Sequence, residues 1–535
     1  MSNLSTLPKG DSAWLLRKAI ERIMQQISVL ETNIGSSTTG NSANTQVIFN
    51  DNGTLRGDTG LTYNKVDDRL SFGAGICYGK LTVSTNIDIW RGLLNDGTST
   101  GVGATALAAT TAGATGNTAL GYQAMYRATT GANNVAIGNS PLSAASMTGT
   151  GNVAIGLSAL AANTSGGANV GIGSSALLVA TGGTNVGIGS DAGRRITTSN
   201  GSIAIGVNAL FGSQNVTGNS NIGIGNAALY TSGTAALSGS TNIGIGADAG
   251  RQITTGANNV FVGTNAGFSA NDITGSDNIG MGQSCLRNLT SASYNVCLGV
   301  NAGNLITTGG SNVAIGLFAG EKNIAGQFTV GIGYQALRNN TASENVGIGN
   351  SALGFNTSGT NNTAVGTTAL LSIVSTSNNT ALGANAARST TSSDITAIGA
   401  NVLALATGGQ YNCAVGANAM AAGIVTGGVN TAIGTGSGSI ITSGASNTFI
   451  GADAGNTTTT GASNICIGRG AVTSAAGASN ELCVGSATYF VATDGAANTF
   501  FTSATALSTG VLPVTCGFIK INLNGTIRKI AVYAV

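Results

Sequence analysis

Nearly four hundred residues of this chain repeat one short pattern, which reads "NVAIGLSAL" from residue 152, "NIGIGADAG" from 242 and "NVAIGLFAG" from 312. The Gly that closes the alternating part of the pattern recurs 23 times, from Gly103 to Gly485. Of the 22 intervals, 13 are 17 residues long and the others lie between 16 and 21. A fixed period of this length indicates one supersecondary unit per repeat, stacked on its neighbours.

Each repeat contains an alternation that predicts one short β-strand. The residue before the Gly is apolar in all 23 copies, and the residue two positions earlier is Val, Ile or Thr in 21. Between them stands Ala or Gly in 18 copies. Such a period of two gives a strand one bulky and one small face. We expect the bulky face, Val313 and Ile315 in one copy, to fill the core, and the small face, Ala314, to pack closely against another backbone.

The positions around the strand predict the corners of a coil. Asn opens the strand in 18 copies, and Asn tolerates turn conformations and bonds nearby backbone, so a stacked Asn ladder is expected. The closing Gly permits a positive φ. An Ala-Leu or Ala-Gly pair a few residues later predicts a second short strand. Stacked at about 4.8 Å per layer, 23 such coils make a rod of roughly 110 Å.

These features predict an all-β fold, a parallel β-solenoid of about 17-residue coils with a short N-terminal coiled coil and a C-terminal β cap. A single ribbon has few large side chains per layer, so we expect identical chains to associate side by side. The predicted domains are an N-terminal helix for oligomerisation or attachment (1–35), a small β-rich shoulder (36–98), the solenoid shaft (99–485) and a β tip or cap (486–535).

The two ends of the chain hold the candidate functional residues. Spacings of three and four within residues 13–30 predict a coiled-coil seam, or alternatively an amphipathic helix docked on its own domain. After Gly485 aromatic residues cluster, and Asn524-Gly525 between two alternating runs predicts a hairpin. Aromatic rings and cations bind sugars or anionic polymers, or they serve only in a cap. The seam is Leu16, Ile20, Ile23, Ile27 and Leu30, and the candidate receptor contacts are Tyr489, Phe490, Lys520, Arg528 and Lys529.

Little in the sequence suggests catalysis. The chain has no His, only 7% charged residues and a net charge of +2, which excludes imidazole chemistry and offers no nucleic-acid footprint. Asp191, Asp248 and Asp453 occupy equivalent points of three repeats, but Asp191 and Asp248 would lie three layers or about 14 Å apart, beyond the 5 to 10 Å of a hydrolytic pair. We expect turn-capping roles for them, and no catalytic, cofactor or metal site.

The seven cysteines are scattered without C-x-x-C spacing, and most repeat cysteines take the small slot of the strand. Free, buried thiols made in a reducing compartment are therefore expected. The N-terminus lacks the apolar segment of a signal peptide, so we expect folding in a cytoplasm.

The "NVAIGxxA" unit at 152–159 and 312–319 resembles the head repeats of trimeric autotransporter adhesins, in which three chains wind left-handed β-rolls side by side. The segments "NTQVIFNDNGTLRGDTGLTYNKVDDRLSF" and "GFIKINLNGTIRKIAVYAV" look like segments common in the tail fibres of tailed bacteriophages. These resemblances imply a homotrimeric, non-enzymatic fibre of a phage virion, assembled in the host cytoplasm. Other virion proteins would bind its N-terminus, and a host surface glycan or protein its tip. The alternatives are a glycan-depolymerising tailspike and a bacterial surface adhesin.

Overall fold

The computed structural model divides the chain into two compact units, Met1–Leu81 and Thr82–Val535. The described residues with side chains are 18–19, 22–23, 98–108, 113–421 and 423–485. Eight further segments are described by their backbone alone: 44–51, 54–64, 69–72, 89–91, 491–493, 500–501, 515–523 and 526–533.

The first unit contains one antiparallel sheet of three strands in the order β1-β2-β3. The strands are β1 (Asn44–Asp51), β2 (Thr54–Asn64) and β3 (Arg69–Phe72). Earlier in the unit, residues 18–19 and 22–23 have helical backbone, and Ile23 is 54% exposed. The other residues of the predicted coiled-coil seam, Leu16, Ile20, Ile27 and Leu30, lie outside the described residues.

The second unit is dominated by a stack of short strands, one for each repeat. Strand β4 (Ile89–Arg91) precedes the stack. The strands of the stack are β5 Thr100–Val102, β6 Thr118–Leu120, β7 Val135–Ile137, β8 Val153–Ile155, β9 Val170–Ile172, β10 Val186–Ile188, β11 Ile203–Ile205, β12 Ile222–Ile224, β13 Ile243–Ile245, β14 Val260–Val262, β15 Ile279–Met281, β16 Val296–Leu298, β17 Val313–Ile315, β18 Val330–Ile332, β19 Val346–Ile348, β20 Thr363–Val365, β21 Thr380–Leu382, β22 Thr396–Ile398, β23 Cys413–Val415, β24 Thr431–Ile433, β25 Thr448–Ile450, β26 Ile465–Ile467 and β27 Glu481–Val484.

Every strand from β5 to β26 pairs in parallel with the next, in the register of the repeat. Val313 lies opposite Val330 and Ile315 opposite Ile332, for example. This pairing confirms the predicted parallel β-solenoid with coils of about 17 residues. Strand β4 pairs antiparallel with β5 at one end of the stack, and β28 (Val491–Thr493) pairs antiparallel with β27 at the other.

Two further pairings follow the stack. Strand β29 (Phe500–Phe501) is antiparallel to β28. Strands β30 (Thr515–Leu523) and β31 (Thr526–Tyr533) form the predicted hairpin, with Leu523 opposite Thr526 and two residues between them.

The expected orientation of the strand faces is wrong. Ala314 is only 3% exposed, whereas Val313 and Ile315 are half-exposed, and the same pattern holds in every strand of the stack. The interior of the coil is narrow, so the strand contributes its small residue to the core and turns its two bulky residues outward. The bulky face is therefore the outer face of the solenoid.

The predicted second strand is also wrong. The second and fourth residues after the closing Gly have positive φ, as at Asp191 (φ 56) and Leu160 (φ 53). An extended strand needs negative φ, so this segment forms successive turns. In the described part of the solenoid, most coils have a single three-residue strand and otherwise turns and bends.

The core is completed by the turn, which explains why the repeat has either Ala-Leu or Ala-Gly. Ala159 and Leu160 are both fully buried, and Leu160 projects into the narrow interior. Where Phe261 replaces the small strand residue, Gly267 takes the fourth position, and a Cβ there would lie 2.4 Å from the Phe261 ring. A large side chain from the strand thus excludes one from the turn, as close packing requires.

Both predicted corner features are confirmed. Asn312 is buried, and its Nδ2 donates to Asn295 Oδ1 at 3.1 Å and to the Gly326 carbonyl at 2.8 Å. Its Oδ1 accepts the backbone N–H of Thr329 in the next coil at 2.9 Å. The closing Gly316 has φ 130, and a Cβ there would lie 2.5 Å from the Gly333 carbonyl oxygen. Stacked asparagines and glycines therefore fix the spacing of the coils.

Candidate functional site

One continuous surface of the solenoid is mostly apolar. It consists of the outward residues at the first and third positions of β5–β26 with Leu482 and Val484 of β27, and is here called the strand face. All of these residues are half-exposed or exposed, and none is charged. Each strand spans about 10 Å and 23 strands rise about 110 Å, so the face measures roughly 1,100 Å². The largest apolar patch on a typical monomer is about 300–600 Å².

A second feature is a column of aromatic and cationic side chains five residues after the closing Gly, here called the ladder. Its members, from consecutive coils, are Arg194, Phe211, Tyr230, Arg251, Phe268 and Arg287. The Phe211 and Tyr230 rings stack with centroids 5.4 Å apart and planes at 10°. The guanidinium of Arg251 lies 5.0 Å from the Tyr230 centroid and 5.5 Å from that of Phe268, so it sits between the two rings.

The ladder continues at its far end and is held by the backbone of the solenoid. Arg287 lies 5.4 Å from the other face of Phe268. The N–H of Thr231 donates to the Phe211 carbonyl at 2.9 Å, and that of Gln252 to the Tyr230 carbonyl at 2.8 Å. Because these bonds repeat from coil to coil, the side chains are stacked at the spacing of the layers.

The three aspartates considered as catalytic candidates lie in turns. Asp191, Asp248 and Asp453 have φ of 56, 55 and 55, in the left-handed region that Asp tolerates better than most residues. Asp191 pairs with Arg194 at 3.4 Å, and Asp248 with Arg251 at 2.9 Å. The structure brings no two of the three aspartates into one site, since they belong to different coils.

The cysteines of the solenoid are free thiols, and four of the five are buried as predicted: Cys285, Cys297, Cys466 and Cys483. A hydrogen bond with Cys285, together with burial, raises the pKa of the Cys297 thiol well above its ordinary value. A hydrogen bond with Cys483 and burial likewise raise the pKa of Cys466. Cys413, at an outward position of β23, is half-exposed.

The predicted receptor contacts are only partly within the structure. Tyr489 and Phe490 lie outside the described residues. In the backbone register of the hairpin, Lys520 is opposite Lys529 and Ile521 is opposite Arg528. Strand pairing therefore places the three cations within two adjacent rungs.

The described part of the chain contains no candidate metal site. Its Cys, Asp and Glu residues form no group of three or more that could hold a metal ion. Among these same residues, no helix has both the length and the apolarity to cross a membrane. Comparison with models of known protein families finds no match for the chain, and comparison with curated proteins finds none either.

Proposed function

We propose that this chain is a non-enzymatic structural fibre of a bacteriophage virion, a homotrimeric tail fibre that mediates adhesion to the host cell and recognises its receptor. The observation that carries the proposal is the strand face, which continues through every coil of the solenoid. Repeats that extend one apolar face over about 110 Å provide a long spacer and a surface for binding a partner chain, and they do not form a pocket.

The strand face fits a second copy of the same chain. Its exposed β-branched residues recur once per layer, so an identical chain presents the same columns at the same spacing. Burying such a face stabilises by about 25 cal/mol per Å² of apolar surface, and it is free of charges that would oppose burial. The number of three chains comes from the resemblance to trimeric adhesin heads.

The remaining roles follow from the order of the domains. The segment 1–35 and the shoulder 36–98 bind other virion proteins, and the predicted coiled coil sets the register of the three chains. The shaft 99–485 serves as a spacer: nine Lys and Arg balance nine Asp and Glu over its length. The tip 486–535, through Tyr489, Phe490, Lys520, Arg528 and Lys529, contacts a host surface glycan or protein.

Antibody labelling tests this function. Antibodies raised against the solenoid are applied, with gold-conjugated secondary antibody, to virions purified from cells that carry the gene. We expect gold on tail appendages of the particles. Unlabelled particles together with labelled cell envelopes would instead identify a bacterial surface adhesin. Release of reducing sugar from host polysaccharide by the purified protein would identify a depolymerase, and either result would overturn the proposal.

A further inference from the structure

Three of the six coils that carry the ladder, those of Phe211, Tyr230 and Phe268, are longer than every other coil of the solenoid. The intervals from Gly206 to Gly225 and from Gly263 to Gly282 are 19 residues, and that from Gly225 to Gly246 is 21. No other interval in the repeat exceeds 18 residues. The extra residues follow the ladder positions, within segments 212–220, 231–241 and 269–277. Insertions in a repeat array collect on one face, which is often a binding face.

A cavity lies at the first end of the ladder. It measures about 180 Å³ and is lined by Leu178, Val179, Arg194, Arg195 and Asn215. A water molecule needs about 10–15 Å³ of such volume, so this half-open cavity admits several water molecules or polar groups of a ligand. Arg195 donates to the Ser213 carbonyl at 2.7 Å, which ties the cavity to the first of the longer coils.

The coils that carry the ladder contain equal numbers of cationic and anionic side chains. Between Gly189 and Gly299 the chain has four arginines and four aspartates: Arg194, Arg195, Arg251, Arg287, Asp191, Asp248, Asp272 and Asp277. Two arginines are paired with aspartates, so a guanidinium and a carboxylate stand side by side in the coils of Asp191 and Asp248. A sugar ring has hydroxyl groups that donate to carboxylates and accept from guanidinium.

We propose that the ladder and its cavity bind a linear polysaccharide along the side of the solenoid. The rungs recur about every 4.8 Å along one line, which suits a polymer with regularly spaced hydroxyl groups. Nucleic acid is disfavoured because these coils have no excess of cations, and because the Tyr230 and Phe268 faces are covered and cannot stack on bases. This site goes beyond the proposed receptor contacts at the tip and does not depend on virion attachment.

The test measures retention of the full-length protein on arrayed bacterial surface polysaccharides, both O-antigens and capsular polymers. We expect wild type to bind at least one polymer, and Tyr230→Ala and Arg251→Ala each to weaken that binding at least tenfold. The matched controls are Tyr411→Ala, an exposed tyrosine outside the ladder, and Arg388→Ala, an exposed arginine five residues after Gly383. Both controls should bind like wild type.

A milder variant keeps the test interpretable if the alanine variants misfold. Arg287→Gln removes an exposed side chain at the end of the ladder, and we expect at least a threefold loss with an unchanged circular dichroism spectrum. Binding should persist in 0.5 M NaCl because the surface is charge-balanced. The proposal is overturned if wild type binds no polymer, if Arg287→Gln binds like wild type, if the controls lose binding equally, or if duplex DNA is retained in place of polysaccharide.

Discussion

The stacked asparagines at the corners of the coils give the sharpest prediction about stability, through the substitution Asn312→Ala. In the native coil, Asn312 Oδ1 accepts the Thr329 N–H at 2.9 Å, and Nδ2 donates to the Gly326 carbonyl at 2.8 Å. Both bonds are buried, and alanine replaces neither. Each orphaned backbone group costs about 1–3 kcal/mol, so two cost about 4 kcal/mol.

Hydrogen exchange measured by mass spectrometry is the appropriate assay, because a long repeat array opens locally and does not unfold in one step. A local loss of about 4 kcal/mol corresponds to roughly a thousandfold faster exchange. We expect this acceleration in peptides covering residues 313–333. The coils around Asn152 should exchange as in wild type, since nearest-neighbour coupling fades with distance along the stack.

The matched control is Asn350→Ala, because Asn350 is exposed and its side-chain oxygen accepts only the Ser351 hydroxyl, at 2.7 Å. We expect a change within about 0.5 kcal/mol, or little more than twofold in exchange rate. The reasoning is refuted if Asn312→Ala accelerates exchange at 313–333 by less than threefold, or no more than the control does.

Three further predictions concern the corners, the thiols and the ladder. Gly316→Ala forces a Cβ to within 2.5 Å of the Gly333 carbonyl oxygen at φ 130, so we expect a loss of at least about 2 kcal/mol. Gly320→Ala has only Ala314 Cβ nearby, at 3.3 Å, and should accelerate local hydrogen exchange less than Gly316→Ala does; equal effects would contradict this account. At pH 8 the raised pKa keeps the Cys297 and Cys466 thiols protonated, so iodoacetamide followed by peptide mass spectrometry should find them unmodified in folded protein. Cys413 should be equally protected if copies cover the strand face, and alkylation at the rate of a free thiol would count against that interface. Phe268→Ala removes the ring that Arg251 and Arg287 share. We expect faster hydrogen exchange in peptides covering 246–290 of this variant than in the same peptides of Phe355→Ala.

The repeat period and its corners were predictable because they depend on local chemistry. Asn312 must satisfy backbone groups of neighbouring coils, and Gly316 must approach the Gly333 carbonyl, so both residue types recur at fixed positions. The parallel register then follows from equal spacing. These requirements act within one coil and its neighbours, and a single sequence displays them in every copy.

The direction of the strand faces was not predictable from the alternation alone. A period of two shows that Val313 and Ile315 share a face, but it does not say which face the core occupies. That choice depends on the width of the coil, which Leu160 and its equivalents fill from a turn with positive φ. The signal was present in the Ala-Leu and Ala-Gly pair, which was instead interpreted as a second strand.

The ladder was missed for a different reason. The residue at the fifth position after the closing Gly differs between copies: it is Ala161 in one coil and Arg388 in another. A consensus of the repeat therefore carries no information about this position. Writing out the fifth residue after each Gly in order would have placed Phe211, Tyr230 and Arg251 in successive layers. In a solenoid, the departures from the repeat are where specific binding surfaces can arise.

Cryo-electron microscopy of the purified full-length protein tests the central claim most directly, since it reveals both the number of chains and the face they share. We predict three parallel solenoids around one axis, each about 110 Å long, with Val313, Ile315 and their equivalents facing that axis. Single solenoids whose strand faces are open to solvent, or assemblies in which another face is buried, would contradict it.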